Sequence, residues 1–449
     1  MAARAGRASR RLTPGRAAAF RVVRRVTADA AWADRAFRAE AERAGLDPRE
    51  RAFAQQLAYG AVQRMRTLDH ALAAASSRPL REIEPALLDA LRLGAYQLLY
   101  MDGVPDHAAV EQTVELVKAE QPRASGFANA VMRRVAREGR AAVDAIDDAT
   151  PEGAALKHSH PDWVARMWWD QLGPEAARAL MERDNQPPES ALRANELVTT
   201  RDALRDAIGV PTHDAPGVPE GLVLDAPWDA HGSPLFAQGA LIPQSRGSMT
   251  VARVLDPRPG EHVLDMAAAP GAKTTHIAAL MRGEGQVTAM ERNAQRADAL
   301  RANVERMRAT NVEVITGDAR EAPPGPFDRV LLDPPCSDLG TLQARPDVRW
   351  RKSPEQVAEL AALQRELLDA GLERLKPGGV LVYSSCTICP AENEEQVERL
   401  LADRPDVERD DLTTDRPEVA HPSVPGYLQL LPHRDGADGF FIARLRRRS

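Results

Sequence analysis

Cysteines and long apolar runs are scarce in this chain of 449 residues. Its three cysteines, Cys336, Cys386 and Cys389, are too few for a disulfide framework, so the sequence predicts a reducing compartment, the cytoplasm. No run approaches the 18 apolar residues of a membrane-spanning helix, and we expect no membrane partner. Cys386 and Cys389 have the spacing of half a zinc site, but no second pair completes it, so no metal is predicted.

The composition is that of a globular protein, and its charge is unevenly distributed. Hydrophobic residues make up 43% and charged residues 28% of the chain, which excludes a disordered or fibrous class. The length allows two to four domains. The net charge is -6, yet residues 1–25 hold eight arginines and no acidic residue. An organelle transit peptide would fit this pattern, but we favour a flexible basic tail over residues 1–16, a kind of segment that commonly contacts nucleic acid.

The chain changes pattern at three places. Residues 17–140 are predicted to form a helical domain, because apolar residues recur at a spacing of three to four. This spacing is clearest at Leu87, Leu88, Leu91, Ala95, Leu98 and Leu99. Acids, Pro151 and Gly153 indicate a linker over residues 141–160. A small α+β module is predicted over residues 161–240, with one helix at 161–183.

Strand and helix patterns alternate from residue 241 to residue 449. The predicted strands are 262–266, 286–290, 312–316, 329–332 and 379–384. Such alternation is typical of a doubly wound, mostly parallel, Rossmann-like sheet. Open sheets of this kind carry their sites at the carboxyl ends of the strands, so the residues there are the functional candidates.

A turn of small residues follows the first of these strands. It consists of Ala267, Ala268, Ala269, Pro270, Gly271 and Ala272, and Lys273 comes directly after it. Small residues let the backbone approach a ligand closely, and the start of a helix favours an anionic group. The turn lacks the glycine pattern of dinucleotide-binding folds and the ending of a phosphate-binding loop, which disfavours NAD and ATP. A tight turn without a ligand is the alternative.

Acidic residues end the next two strands. Glu291 lies 26 residues beyond Asp265, where a nucleotide-binding sheet carries the acid that accepts the ribose hydroxyls. Asp318 ends the third strand and could bind an adenine amino group. Each could instead be an ordinary surface carboxylate, but together with the turn they predict an S-adenosylmethionine pocket.

Two cysteines end the last two predicted strands. Residues 333–336 read Asp-Pro-Pro-Cys, where an aromatic in the fourth position would indicate methylation of an amino group. Residues 383–387 read Tyr-Ser-Ser-Cys-Thr. A lone cysteine is most often a small buried hydrophobe, but two at adjacent strand ends favour thiol chemistry. The residues alone favour Cys336 as nucleophile because Asp333 is so near, and Cys389 is interpreted as structural or incidental.

These four stretches resemble the RNA 5-methylcytosine methyltransferases, specifically the bacterial ribosomal RNA branch called Sun or Fmu. Further stretches with this resemblance are 96–100, 106–110 and 129–133, similar to the NusB antitermination factor, then 185–188 and 192–193, and finally 345–350 and 438–441. The paired cysteine motifs are the most specific of these. The chain departs from the family pattern at Ala272, Ala267, Ser385 and Ser245. Ala272 requires a negative φ where a glycine is usual.

The resemblance implies roles for the site residues. Cys386 would be the nucleophile that adds to carbon 6 of cytosine, Cys336 would assist the elimination that releases the enzyme, and Asp333 would bind the base. S-adenosylmethionine would be the cofactor, held by residues 267–273, Glu291, Asp318 and Asp333. Lys273 would orient Asp333 or the cofactor, the alternative being a solvated lysine.

The implied substrate is small-subunit ribosomal RNA, bound by a monomer. Two alternatives are open. One is the same chemistry on transfer RNA or another RNA. The other is a non-catalytic RNA-binding or antitermination factor that keeps a relic methyltransferase domain.

Overall fold

The computed structural model describes residues 12–449, which form two compact units. The first unit comprises residues 12–186 together with Leu342–Arg351. The second comprises Pro187–Thr341 and Lys352–Ser449. The predicted basic tail falls mostly outside the described residues, and the first helix begins at Pro14. Between residues 12 and 449, no helix is both long and apolar enough to cross a membrane.

The first unit is helical, as the sequence predicts. Its helices are α1 (Pro14–Ala28), α2 (Ala33–Ala44), α3 (Pro48–Gln63), α4 (Met65–Ala75), α5 (Pro85–Tyr100), α6 (Asp106–Glu120), α7 (Ser125–Asp144), α8 (Pro151–His158), α9 (Asp162–Leu172) and α10 (Pro174–Arg183). Leucines such as Leu57, Leu72 and Leu91 are completely buried in its core. The one helix predicted over 161–183 is two, because Gly173 adopts φ +82° and Pro174 starts a new helix.

The stretch predicted as a linker, 141–160, contains the end of α7 and the whole of α8. Pro151 stands in the first turn of α8, where its missing N–H costs nothing, and the Thr150 side chain caps that helix. The proline therefore starts a helix instead of interrupting one. The predicted domain boundaries themselves stay predictions.

A small antiparallel sheet begins the second unit. Its elements are β1 (Ala191–Ala194), α11 (Arg201–Ile208), β2 (Thr212–Asp214), β3 (Gly221–Leu224), α12 (Pro234–Ala237) and β4 (Leu241–Pro243), with strand order β2-β3-β1-β4. Arg193 of β1 is completely buried and donates to the side chains of Gln244 (2.8 Å) and Thr275 (2.9 Å). This guanidinium therefore joins the small sheet to the helix that contains Thr275.

A larger mixed sheet completes the second unit. Its elements are α13 (Arg246–Leu255), β5 (His262–Asp265), α14 (Ala272–Leu280), β6 (Gln286–Glu291), α15 (Ala294–Arg306), β7 (Val312–Thr316), β8 (Phe327–Leu332), α16 (Pro354–Glu373), β9 (Leu375–Ser385), α17 (Glu394–Asp403), β10 (Val407–Arg409), β11 (Leu428–Leu430), α18 (Pro432–Asp435) and β12 (Phe440–Arg447). The order is β10-β12-β9-β8-β5-β6-β7, with β11 on β12. Strands β5 to β9 are parallel, and the other three are antiparallel.

The five parallel strands confirm the predicted doubly wound, mostly parallel sheet. Buried apolar residues fill them, among them Leu264, Val330 and Leu381, as expected for strands that are covered on both faces. The chain runs from β5 to β6 and β7 on one side and then returns to β8 and β9 on the other. Open sheets of this kind bind ligands at the carboxyl ends of the strands beside such a reversal.

Candidate active site

The turn after β5 leads directly into α14. Asp265 ends β5, is buried and accepts a hydrogen bond of 2.7 Å from the Thr274 hydroxyl. Burial raises its pKa to about 6. Gly271 adopts φ +105°, so Ala272 begins α14 without the positive φ that alanine disfavours. No side chain caps the start of α14, which suits an anionic group of a ligand.

Two carboxylates end the neighbouring strands. Glu291 ends β6, is buried, accepts from the Asn293 N–H (2.8 Å) and pairs with Arg296 (3.3 Å). Asp318 follows β7 and pairs with Arg320 at 2.6 Å. Hydrogen bonds from Arg320 lower the pKa of Asp318 to about 2.

These groups fit S-adenosylmethionine as a ligand. The uncapped start of α14 suits a carboxylate, and Glu291 at the end of β6 suits ribose hydroxyls. The Asp318 carboxylate already binds a guanidinium, so an adenine amino group would share it with Arg320. The small residues of the turn leave room for the close approach of a ligand.

Asp333 follows β8 and is held by two side chains. Its carboxylate accepts from the Lys273 ammonium (2.7 Å) and from the Ser384 hydroxyl (2.7 Å). Burial acts against the charge of Lys273, but the contact with Asp333 outweighs it and raises the pKa of the ammonium. The ammonium also lies 5.2 Å from the centre of the Phe440 ring. Lys273 therefore contacts Asp333, as one of its two predicted roles requires.

The two thiols that follow β8 and β9 lie in contact. The Sγ atoms of Cys336 and Cys386 are 3.4 Å apart, because parallel neighbouring strands end at the same edge of the sheet. The hydrogen bond with Cys336, burial and nearby acidic groups raise the pKa of Cys386 well above its ordinary value. Cys389 is buried in the next loop, and burial raises its pKa to about 12.

A third group at the thiols has no counterpart in the sequence prediction. The Asp338 carboxylate lies 3.0 Å from Sγ of Cys386 and 3.8 Å from Sγ of Cys336. The one sequence signal for Asp338 is its position two residues after Cys336. An acid at that position does not by itself indicate a contact with a residue 48 positions further along the chain.

Glu392 is completely buried behind the two thiol loops. Its carboxylate accepts from the Ser337 N–H (2.9 Å), the Ser337 hydroxyl and the Gln364 amide (3.0 Å). The Tyr383 hydroxyl donates to its carbonyl oxygen at 2.6 Å. Burial raises the pKa of Glu392. This residue connects the loop after β8 with the loop after β9, and sequence reasoning missed it as well.

Two glycines bring a further segment against the thiol loops. The Gly340 N–H donates to the Cys386 carbonyl (3.0 Å), and the Gly439 N–H donates to the Gly340 carbonyl (2.7 Å). A Cβ on Gly340 would lie only 2.2 Å from the Gly439 carbonyl oxygen. This close backbone approach explains why glycine occupies both positions.

The predicted site residues thus gather at one edge of one sheet. The cofactor candidates lie at the ends of β5, β6 and β7, apart from Asp333, which follows β8 and is also a catalytic candidate. The two catalytic cysteine candidates follow β8 and β9. Their roles in a reaction stay predictions at this point.

Comparison with known proteins matches each part of the chain. Residues 252–446 match the family described as 16S rRNA methyltransferase RsmB/F, residues 13–137 match the NusB family, and residues 160–231 match the ferredoxin-like domain of RsmF/B-like methyltransferases. A probable ribosomal RNA small subunit methyltransferase B from Synechocystis is 37% identical over 96% of this chain and 98% of its own. The ribosomal RNA small subunit methyltransferase B of Vibrio cholerae is 35% identical over 89% of this chain and 90% of its own.

Solved structures agree with the sequence matches. A crystal structure of a methyltransferase homolog from Pyrococcus horikoshii covers 67% of this chain and 99% of its own, with 30% identity and a TM-score of 0.60. The predicted resemblance and fold class are confirmed: the chain belongs to the RsmB/F family of methyltransferases, with a helical NusB-family domain, a ferredoxin-like module and a C-terminal methyltransferase domain.

Proposed function

We propose that this methyltransferase forms 5-methylcytosine in small-subunit ribosomal RNA through a covalent bond between Cys386 and carbon 6 of cytosine. The observation that carries this proposal is the pair of thiols 3.4 Å apart beside the Asp333 carboxylate. The names of the relatives, ribosomal RNA small subunit methyltransferase B, support the RNA substrate.

Carbon 5 of cytosine is too weak a nucleophile to take a methyl group directly. The enzyme must therefore supply a nucleophile of its own that activates the ring. Addition of the Cys386 sulfur to carbon 6 breaks the aromaticity of the ring and makes carbon 5 reactive. Asp333 would bind the ring nitrogen and amino edge of the base and stabilise the charge that develops there. Each of its oxygens already accepts one hydrogen bond, and a carboxylate has about four acceptor positions in all.

The later steps use the second thiol. S-adenosylmethionine supplies the methyl group that carbon 5 takes. Cys336, in contact with Cys386, would assist removal of the carbon 5 proton while the bond between carbon 6 and sulfur breaks. Residues 267–273, Glu291 and Asp318 would hold the methyl donor.

RNA binding would involve the other parts of the chain. The target base must leave its stack, which costs a few kcal/mol and is easiest in loops. We propose that the arginine-rich tail and the NusB-family domain contact phosphates of the RNA, so affinity should fall as salt is added. We further propose that the enzyme is a cytoplasmic monomer that needs no metal.

A denaturing gel of the protein with RNA and S-adenosylmethionine tests the proposal. The wild type is compared with Cys336→Ala and Cys386→Ala, and Cys389→Ala serves as the control for loss of a buried thiol. We expect a covalent RNA adduct to accumulate with Cys336→Ala and to be absent with Cys386→Ala. Cys389→Ala should behave like the wild type.

Other results would change the conclusion. An adduct with Cys386→Ala but not with Cys336→Ala would exchange the two cysteine roles. Labelled methyl transfer to transfer RNA but not to small-subunit RNA would favour the first alternative substrate. No methyl transfer to any RNA, together with no binding of S-adenosylmethionine by calorimetry, would favour a relic methyltransferase domain.

A further inference from the structure

The Asp338 carboxylate is the acidic group that contacts the proposed nucleophile. Its Oδ1 atom is 3.0 Å from Sγ of Cys386, within the reach of a hydrogen bond from the thiol. The same oxygen is 3.8 Å from Sγ of Cys336. Asp333, by contrast, is bound to Lys273 and Ser384. The two carboxylates of this loop therefore have different partners.

The backbone holds Asp338 in this position. It adopts φ +60°, an uncommon conformation that aspartate tolerates better than most residues. Its carbonyl accepts from the N–H (3.0 Å) and the hydroxyl (2.9 Å) of Thr341. Gly340, between these residues, donates to the Cys386 carbonyl. The loop that carries the carboxylate is thus bonded to the residue that carries the thiol.

The surroundings of Cys386 keep its sulfur protonated. The hydrogen bond with Cys336, burial and the charges of Asp338 and Asp333 all raise the pKa of this thiol. The Lys273 ammonium is the cation that interacts with it across the site. Glu392 and Lys352 face the Cys336 side, and the Lys352 ammonium lies 3.4 Å from the Cys336 carbonyl. A proton must therefore leave the Cys386 sulfur when it attacks carbon 6.

We propose that Asp338 is the general base that removes the thiol proton of Cys386 as the sulfur adds to carbon 6 of cytosine. The proton moves from Sγ to Oδ1 of Asp338, the sulfur–carbon bond forms, and the negative charge passes from the carboxylate to the pyrimidine ring. After methylation, water takes the carbon 5 proton with the assistance of Cys336, and the electron pair left behind forms the double bond between carbons 5 and 6. The sulfur leaves carbon 6 with its own electron pair, and Asp338 returns the proton to it. This assignment rests on the proposed function, and it makes Asp338 a catalytic residue distinct from the base-binding Asp333.

Two rates measured on the Cys386 thiol, alkylation and adduct formation, distinguish a general base from a carboxylate that only raises the pKa of the thiol. The double variant Cys336→Ala/Cys389→Ala keeps Cys386 as the sole cysteine of the chain and serves as the parent. Asp338→Asn and Asp338→Gly are made in this parent. Glycine removes the carboxylate and accepts the positive φ, so its variant should fold at least as well as the parent, which thermal unfolding checks.

The two rates should change in opposite directions. Without RNA, loss of the negative charge favours the thiolate, so alkylation of Cys386 by iodoacetamide at pH 7 should become faster in both variants. With RNA and S-adenosylmethionine in EDTA buffer, adduct formation should become about 100-fold slower, the usual scale of general-base catalysis. In both variants, the rate of adduct formation should also rise with pH over a wider range than it does in the parent. Added formate should partly restore the rate of Asp338→Gly.

The outcomes that contradict the proposal are distinct. If both variants form the adduct at the parent's rate, or form it faster while alkylation also becomes faster, the assignment of Asp338 is wrong. The proposed function would not be affected by that result. An absence of adduct in the parent itself, with every RNA tested, would overturn the proposed function and the assignment with it.

Discussion

Glu392 and Asp318, acidic residues from the two halves of the carboxyl edge of the large sheet, are held in different ways. In the thiol half, at the ends of β8 and β9, Glu392 is completely buried and accepts hydrogen bonds from Ser337 in the loop after β8 and from Gln364 of α16. In the cofactor half, at the ends of β5, β6 and β7, Asp318 is 22% exposed and is bound by Arg320 on the surface. Groups that must meet a reacting carbon within a fraction of an ångström need a rigid support. Asp318, proposed to bind a cofactor that must enter and leave, stays partly exposed to solvent.

Glu392→Ala should give the largest effect and would test the rigid support of the thiol half. It leaves the Ser337 N–H buried without its acceptor and the Gln364 amide with one acceptor fewer, and we expect a loss of about 4 kcal/mol in the free energy of unfolding. Urea unfolding of the second unit, monitored beside adduct formation, measures it. Glu395→Ala, which removes a half-exposed glutamate of α17, is the control and should change little. Equal effects of the two changes would contradict the comparison.

Gly340→Ala should come next and contrasts with a glycine of the cofactor half. The new Cβ would clash with the Gly439 backbone, so we expect a loss of about 3 kcal/mol and slower adduct formation. Gly317→Ala is the matched change after β7, where a Cβ would meet only the Met290 methyl at 3.7 Å. Its unfolding midpoint should stay close to that of the wild type. A large loss of stability with Gly317→Ala would contradict the contrast between the two glycines.

Asp265→Asn should reveal a pH dependence. Burial raises the pKa of Asp265 from 3.8 to about 6, so the folded state binds this proton more tightly than the unfolded state. The resulting stabilisation is present below pH 4 and is lost as the pH rises through 6. The stability of the wild type relative to Asp265→Asn should thus fall by about 2.5 kcal/mol between pH 4 and pH 7. Urea unfolding at several pH values measures this, and a pH-independent difference would contradict it.

Asp318→Asn should have the smallest effect on stability. Its ion pair with Arg320 lies at the surface, where such pairs contribute less than about 1 kcal/mol. Because its pKa is lowered to about 2, its contribution is lost only as the pH falls below 4, so no change is expected between pH 4 and pH 7. Binding of S-adenosylmethionine, measured by calorimetry, should weaken about tenfold. Unchanged binding would place the adenine elsewhere.

The fold was predictable where local pattern and tertiary structure agree. The five parallel strands were predictable because strand and helix patterns alternate from residue 241 onward. Strands β2, β10 and β11 have only three residues each, too short for a periodic signal. Strand β12 was missed as well, because its alternating arginines resemble a solvated segment. Helix α8 was not predicted, because Pro151 in the first turn of a helix resembles a helix break when its Thr150 cap is not recognised.

The sequence by itself determined the family, the parallel sheet and which residues stand at the strand ends. Strand periodicity and short motifs are local, and parallel strands necessarily bring their carboxyl ends together. Only the tertiary structure decided that Asp338 contacts Cys386 and that Glu392, in the loop after β9, binds Ser337 in the loop after β8. These contacts join residues about 50 positions apart through irregular loops, whose paths follow from packing and hydrogen bonding and not from any repeating pattern.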